Sequence, residues 1–331
     1  MSLAVLSLAC GAPLARAVAE RLGTTPLPVE ERGFEDGEHK IRPLERVRGS
    51  DLYLVQSLYG EPGLSADEKL LRTLFLAAAL RDHGAARVTL VAPYLAYARK
   101  DRRTKLRDPV SIRYLAELVE AVGIRRVAAL DVHNPAAFEN AFRIETVHLE
   151  ARGLFVRHLL ATLADRPLAV VSPDAGGVKR AEALRRSLEA ALGRPVPLAL
   201  MEKHRSAGVV SGEAFAGEVA GRVALVVDDL VSTGGTMLRC AEACRARGAV
   251  EVRAVASHGL FTGEAATVVA NPAIAGWLLT DSVPPFRLPE PARARLLLLP
   301  IAPLLAEAIR RLHDDGPVEE LAEEPVASVE A

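Results

Sequence analysis

Five apolar residues run into two adjacent carboxylates, Asp228 and Asp229, in Val223-Ala-Leu-Val-Val-Asp-Asp-Leu-Val-Ser-Thr-Gly-Gly-Thr236. A pair of acids at a strand end can accept hydrogen bonds from neutral sugar hydroxyls. The residues that follow, Ser232, Thr233, Gly234, Gly235 and Thr236, suit an anion. Glycines let the backbone approach a phosphate, successive N–H groups donate to it, and the dipole of a helix starting there adds partial positive charge. A phosphorylated sugar would use both features together. A plain capped turn would need the hydroxyls and glycines but not the paired acids.

Other segments carry chemistry of the same kind. Ser172-Pro-Asp-Ala-Gly-Gly177 places Asp174, Gly176 and Gly177 in a second strand, acid, glycine turn and helix sequence, although Pro-Asp-x-Gly-Gly is also a good plain turn. The basic run Arg99-Lys-Asp-Arg-Arg-Thr-Lys-Leu-Arg107 follows a strand end directly, so Arg99, Asp101 and Arg102 stand where ligands bind rather than on an ordinary solvated face. His133 closes a strand just past Asp131, and neutral imidazole can join phosphate oxygens around Mg²⁺, though a lone strand-end histidine is more often structural. Phe34 lies within Gly33-Phe-Glu-Asp-Gly-Glu38, a run of charge and turn residues where a core ring is out of place. Lys203 and Arg205 start a polar, glycine-containing stretch, 203–213, that has the composition of a mobile loop or hairpin; by themselves they are surface charges.

Short β-branched runs alternate with longer segments of helical period, the pattern of an α/β protein with parallel strands. The pattern predicts strands at 51–56, 87–92, 126–131, 168–172, 223–227 and 252–256, and helices at 67–81, 111–122, 178–192 and 236–247. An internal echo pairs Ala121-Val-Gly-Ile-Arg-Arg-Val-Ala-Ala-Leu-Asp-Val-His133 with Ala246-Arg-Gly-Ala-Val-Glu-Val-Arg-Ala-Val-Ala-Ser-His258, each a glycine-capped helix end followed by a strand and a histidine. Two related α/β domains follow, with a boundary near residue 149. The amphipathic segment 303–313 is a terminal helix, and the acidic residues 314–331 have the composition of a disordered tail.

With 331 residues, half of them apolar, and 41 basic against 42 acidic residues, the chain is ordinary for a globular protein of about two domains. A net charge of −1 gives no electrostatic reason for a nucleic acid or anionic membrane partner. Three cysteines, Cys10, Cys240 and Cys244, lack metal-finger spacing and fit a reducing compartment; with no leader-like N-terminus and no long uncharged apolar run, the expected location is the cytoplasm.

The stretch around Asp228 resembles the phosphoribosyl-diphosphate (PRPP) loop of the type I phosphoribosyltransferase fold. That resemblance alone leaves open enzymes that consume PRPP and enzymes that make it. Gly33-Phe-Glu-Asp-Gly-Glu38, Val47-Arg-Gly-Ser-Asp51, Pro93-Tyr-Leu-Ala-Tyr-Ala-Arg-Lys-Asp-Arg102, Leu130-Asp-Val-His133, Ser172-Pro-Asp-Ala-Gly-Gly177 and Glu202-Lys-His-Arg205 resemble PRPP synthetase (ribose-phosphate diphosphokinase) segments in family order, over residues 1–313. The resemblance implies two tandem phosphoribosyltransferase-like domains, 1–148 and 149–302, each a mainly parallel sheet flanked by helices, with 303–313 joining the first. It implies MgATP and ribose 5-phosphate as substrates and a homo-oligomer built on a dimer unit, with a hexamer as the family default. Phe34 would stack on adenine from a neighbouring subunit, with Asp36 and Glu38 bonding the base. Arg99, Asp101 and Arg102 would hold the ATP phosphates, and Asp174, Gly176 and Gly177 the pyrophosphate. His133 and Asp174 would ligate magnesium. Asp228 and Asp229 would take the ribose hydroxyls, Ser232–Thr236 the 5-phosphate, and Lys203 and Arg205 would stabilise the transferring diphosphoryl group. Two alternatives remain: a phosphoribosyltransferase that uses PRPP, and a non-catalytic PRPP-synthetase-like regulatory subunit.

Two departures from the family pattern stand out. Ser232 occupies the place of an acid in the PRPP loop, and Asp67-Glu-Lys-Leu-Leu-Arg-Thr73 replaces the family's usual helix start after a longer loop.

Overall fold

The computed structural model describes the backbone of residues 1–206 and 209–322, and their side chains except those of 202–206, 209–213 and 322. The chain forms two compact units, one of Met1–Glu150 with Ile301–Leu321 and one centred on Ala151–Pro300.

In the first unit, strands β1 (Leu3–Leu6), β4 (Asp51–Val55), β5 (Arg87–Ala92), β6 (Arg126–Leu130) and β7 (Glu145–Leu149) form a parallel sheet in that order; β2 (Val29–Gly33) and β3 (His39–Pro43) make a separate antiparallel hairpin. Every residue of β4 and of β6 is buried, as expected of strands in a parallel sheet covered on both faces. The helices are α1 (Ala12–Arg21), α2 (Ala66–Asp82), α3 (Ser111–Ala121) and α4 (Pro135–Ala141).

The altered segment 58–73 is firmly built. Ser65 and Glu68 form a reciprocal capping box at the start of α2. Lys69, with no exposed side-chain surface, places Nζ 2.7 Å from Glu61 Oε1 and 3.8 Å from the centre of the Tyr59 ring, which ties the longer loop to the helix.

The second unit carries β8 (Leu168–Ser172), β9 (Leu198–Ser206), β10 (Val209–Ala216), β11 (Val223–Val231), β12 (Glu251–Gly259), β13 (Gly276–Thr280) and β14 (Leu296–Leu299). Their order is β10-β9-β8-β11-β12-β13-β14, parallel except for the β9–β10 hairpin. Helices α5 (Arg152–Leu163), α6 (Val178–Leu192), α7 (Gly235–Ala246), α8 (Ala265–Ala270) and α9 (Glu290–Arg293) complete it. From β8 the chain builds outward on one side through β9, then crosses to the other side for β11. That reversal makes a topological switch point between β8 and β11, where open α/β sheets bind ligands.

Helix α10 (Ala302–His313) returns to the first unit, where His313 Nδ1 lies 2.8 Å from the fully buried Asp51, which also accepts from Arg87 and Tyr53. Burial would raise the Asp51 carboxyl, but the bonds from Arg87 and His313 outweigh it and hold the carboxyl below its usual range. Residues 314–322, expected to begin a disordered tail, continue in ordered form. Arg311 donates to the Pro317 carbonyl at 2.9 Å, Val318 and Leu321 are buried, and Glu319–Ala322 closes a 3₁₀ turn. Two apolar side chains offset the acidic composition of this segment. Residues 323–331 lie outside the described set.

Candidate active site

Strand β11 outruns the sequence expectation. Instead of ending at Val227 it continues to Val231, so Asp228 and Asp229 are strand residues. The reason is one-sided pairing. On the β12 side the ladder runs on through Asp228↔Ala256 and Leu230↔His258 to Val231↔Gly259, whereas on the β8 side it stops at Val226↔Val171. Backbone bonding to β12 holds the acids while β8 departs after Val171, the arrangement that opens a crevice at the switch point of such sheets.

The two carboxylates differ in environment. Asp229 is 3% exposed, whereas Asp228 is half-buried and accepts the Asp229 backbone N–H at 2.8 Å. Burial, reinforced by the adjacent Asp229, pushes the Asp228 carboxyl up to about 8 against the lowering effect of Arg180. Arg180 Nη1 lies 3.5 Å from Asp228 Oδ1 and 3.6 Å from Asp229 Oδ1.

Beyond the strand, Gly234 takes φ +78°, and a Cβ there would meet Val268 Cγ1 at 2.8 Å, so both backbone and packing require glycine. Helix α7 begins at Gly235 with no side-chain cap, leaving its first turn facing the loop. A segment 30 residues away braces that loop. Thr262 donates its N–H to the Ser232 carbonyl at 3.0 Å, the two hydroxyls are 3.0 Å apart, and Leu260 and Phe261 both donate to the Val231 carbonyl. Ser232 is therefore tied into the loop by a neutral hydroxyl pair. Thr233 is exposed and Thr236 half-buried.

Across the crevice, Asp174 caps the 3₁₀ turn Ala175–Gly177 by accepting the Gly177 N–H at 3.0 Å. Ser172 Oγ donates to the Asp174 carbonyl at 2.7 Å and crowds Gly177, whose Cβ would lie 3.0 Å from that oxygen. Gly176 is exposed. The turn leads into α6, from whose first turn Arg180 reaches back to the β11 acids.

The first unit presents its candidates differently. Phe34, Asp36 and Glu38 form the loop of the β2–β3 hairpin, all exposed. Phe34 N–H donates to the Glu38 carbonyl at 2.9 Å, and Glu38 N–H to the Asp36 carboxylate at 3.0 Å. Phe34 is 40% exposed, with the Arg32 guanidinium 5.4 Å from the centre of its ring. Arg99 and Arg102 are exposed on the loop after β5. That loop is organised by Asp108, which accepts from Lys100 Nζ at 2.5 Å, Thr104 Oγ1 at 2.7 Å, and the Thr104 and Lys105 backbone N–H groups at 3.1 and 3.0 Å. These bonds, the Lys100 bond foremost, hold its carboxyl far below the usual range. His133 is exposed just past β6, which ends at Leu130, with Asp131 at φ +41° turning the chain between them. Asn134 connects this turn to the basic loop, donating to Asp101 at 2.6 Å while capping α4 through Ala137 N–H.

The structure thus groups Asp174, Gly176, Gly177, Asp228, Asp229 and 232–236 at one crevice of the second unit, and Asp101, Asn134 and the turn bearing His133 in the first. Lys203 and Arg205 have strand backbone, paired with Glu213 and Val210, and their side chains lie outside the described residues. Sequence reasoning missed Arg180, Asn134, Asp108 and Thr262. An acid closing a basic run marks Asp108, and the third position of a helix after an acid–glycine turn marks Arg180. Nothing local marks Thr262, because its partner is distant in sequence. Among the described residues, no group of three or more His, Cys, Asp or Glu side chains gathers as a metal cluster.

Residues 3–123 match the family described as the N-terminal domain of ribose phosphate pyrophosphokinase, and residues 185–322 match the phosphoribosyl synthetase-associated domain. A ribose-phosphate pyrophosphokinase of Caldanaerobacter subterraneus subsp. tengcongensis is 35% identical over 93% of this chain and 94% of its own length. One from Granulibacter bethesdensis is 36% identical over 93% and 96%. The crystal structure of phosphoribosylpyrophosphate synthetase from Mycobacterium smegmatis superposes with a TM-score of 0.85 at 31% identity, covering 96% of this chain and all of that one. With both halves matched and such relatives spanning nearly its full length, the chain belongs to the ribose-phosphate pyrophosphokinase (PRPP synthetase) family.

Proposed function

We propose that the protein transfers the β,γ-diphosphoryl group of MgATP to the anomeric hydroxyl of ribose 5-phosphate, giving PRPP and AMP. The observation that carries this reading is the crevice at the β8–β11 switch point, where paired acids, a hydroxyl–glycine loop and a helix N-terminus lie opposite a second acid–glycine turn. Such a site has separate places for sugar hydroxyls, a monoester and a diphosphate.

Phosphoryl transfer needs little covalent work from a protein, so orientation and charge neutralisation dominate. Asp228 and Asp229 accept the ribose hydroxyls. The 5-phosphate lies on Ser232–Thr236 and the first turn of α7, and the turn of Asp174, Gly176 and Gly177 holds the diphosphate. The sugar is then anchored at both ends, which aims its anomeric oxygen at the β-phosphorus. Arg99, Asp101 and Arg102 position the ATP phosphates. Phe34 stacks on adenine bound by a neighbouring subunit, with Asp36 and Glu38 on the base edge; the ring's exposure at a hairpin tip supports that role, and it makes the working protein at least a dimer. Lys203 and Arg205 neutralise charge on the group in flight.

His133 of the first unit and Asp174 of the second would each offer a ligand to Mg²⁺ that arrives with phosphate, and Asp228 and Asp229 would do so for the sugar's. The residues fit such an ion, since Mg²⁺ is usually bound by one or two carboxylates together with substrate phosphates and water. When bound it offsets the charge of the β- and γ-phosphates.

The test is direct. Purified protein with ATP, Mg²⁺, ribose 5-phosphate and inorganic phosphate should yield AMP and PRPP together in phosphorus NMR. Folded protein that forms neither product would rule the reading out, and activity with PRPP and a base but not with ATP would favour a phosphoribosyltransferase.

A further inference from the structure

Arg180 is the third residue of α6, directly after the Asp174–Gly177 turn, and a single nitrogen of its guanidinium faces both acids of β11 at 3.5 and 3.6 Å. A closed charge-assisted bond would be about 2.7–2.9 Å, so the guanidinium straddles the pair without closing on either acid. The acids need it. Their side chains are 21% and 4% exposed, they are adjacent on one strand, and negative charge so buried is costly without a cation whether one or both acids are ionised.

We propose that Arg180 is a positioning residue. It is the resident counter-ion that holds Asp228 and Asp229 ready for the ribose hydroxyls, and it competes with a divalent cation for the same pair. This rests on reading the crevice as the ribose 5-phosphate site. The competition follows from placement, because an ion entering between the carboxylates meets a guanidinium already 3.5 Å from the nearer one. Two carboxylates guarded in this way bind a metal weakly by themselves, which suits a site whose metal arrives with phosphate oxygens. The loose separations also matter. Neutral sugar hydroxyls can take over the carboxylate oxygens without first breaking a tight ion pair, and the helical root of Arg180 keeps its charge beside the diphosphate turn.

Mn²⁺ binding in the absence of nucleotide, followed by electron paramagnetic resonance, reads the competition without relying on turnover. Arg180→Gln should bind one Mn²⁺ about tenfold more tightly than wild type, the scale of removing one nearby charge. Adding Asp228→Asn to that variant should abolish the gain. In steady-state assays Arg180→Gln should raise KM for ribose 5-phosphate about tenfold while changing kcat and KM for ATP less, and Arg180→Lys should recover most of that loss, because it keeps the charge but not the fork. Should circular dichroism show Arg180→Gln unfolded, Arg180→Lys decides, with an expected Mn²⁺ affinity about threefold above wild type. Mn²⁺ affinity unchanged in the folded variants overturns the proposal. Wild-type protein that forms no AMP or PRPP instead overturns the catalytic reading, and the Mn²⁺ titration still gives its own answer.

Discussion

Both units are parallel sheets wound from similar helix-to-strand pieces, yet they display their candidate residues in opposite ways. In the first, each strand after β1 is added on the same side, so the order β1-β4-β5-β6-β7 contains no reversal. Its loops after β5 and β6 lie at the strand ends with Arg99, Arg102 and His133 exposed. In the second, the winding reverses between β8 and β11, and the Asp174 turn and the Asp228 pair line the gap that results. A shared architecture therefore gives one unit a crevice and the other a set of exposed loops. The first unit is suited to holding part of a ligand that something else completes, and the second to enclosing one.

The contrast between an enclosing unit and one with exposed loops should show most strongly at Asp228. Asp228→Asn should lower kcat by about 10²–10³ even with both substrates saturating, the scale of losing one preorganised electrostatic contact; near-normal turnover would remove the crevice from the mechanism.

The same residue should make the unliganded protein sensitive to pH. Its native carboxyl is raised to about 8, so between the unfolded value near 4 and that point the native state holds a proton the unfolded state has released. Its stabilising contribution is therefore complete below about pH 4 and lost as pH rises through 8. Asp228→Asn should consequently melt higher than wild type above pH 8 and show no such gain at pH 4. Parallel melting curves at the two pH values check this, and an equal shift at both would contradict the burial argument.

Smaller effects should fall on one substrate only. Phe34→Ala should weaken ATP binding by about 1–3 kcal/mol, the value of an aromatic stacked on a base, and leave KM for ribose 5-phosphate unchanged. Mixing Phe34→Ala with an inactive Asp228→Asn protein sharpens the point: recovered activity would mean that the ring and the crevice serve one site from different subunits. Asp108→Asn should raise KM for ATP only about fivefold, because it loosens the basic loop without removing a phosphate contact. A comparable rise in KM for ribose 5-phosphate would show that the loop does not belong to the nucleotide alone.

The internal echo shows how far sequence likeness carries. Gly123 and Gly248 both take positive φ, +91° and +84°, as helix-end glycines at equivalent offsets should. The histidines at the other end of the echo diverge. His133 is exposed past the end of β6, whereas His258 remains inside the longer β12, 3% exposed, with Nδ1 2.7 Å from Ser282 Oγ. Equal spacing fixed where each residue falls along its element, but the length of the neighbouring ladder decided whether it left the sheet.

By itself the sequence determined the α/β alternation, most strand and helix positions, the two acid–glycine turns and the basic run, because these depend on local periodicity and turn chemistry. It did not determine the β2–β3 hairpin that presents Phe34, whose strands are charged and carry little apolar alternation, the strands β13 and β14 at one end of the second sheet, or the packed segment 314–322, whose acidic composition hides its two buried apolar residues. Tertiary structure alone decided that β11 runs through its acids to Val231, that Thr262 braces Ser232, and that Arg180 stands over the carboxylate pair. The physical reason is common to all three. Each comes from pairing or packing between residues some 30 to 50 positions apart, and a local pattern encodes what an element is but not which neighbour it stops against.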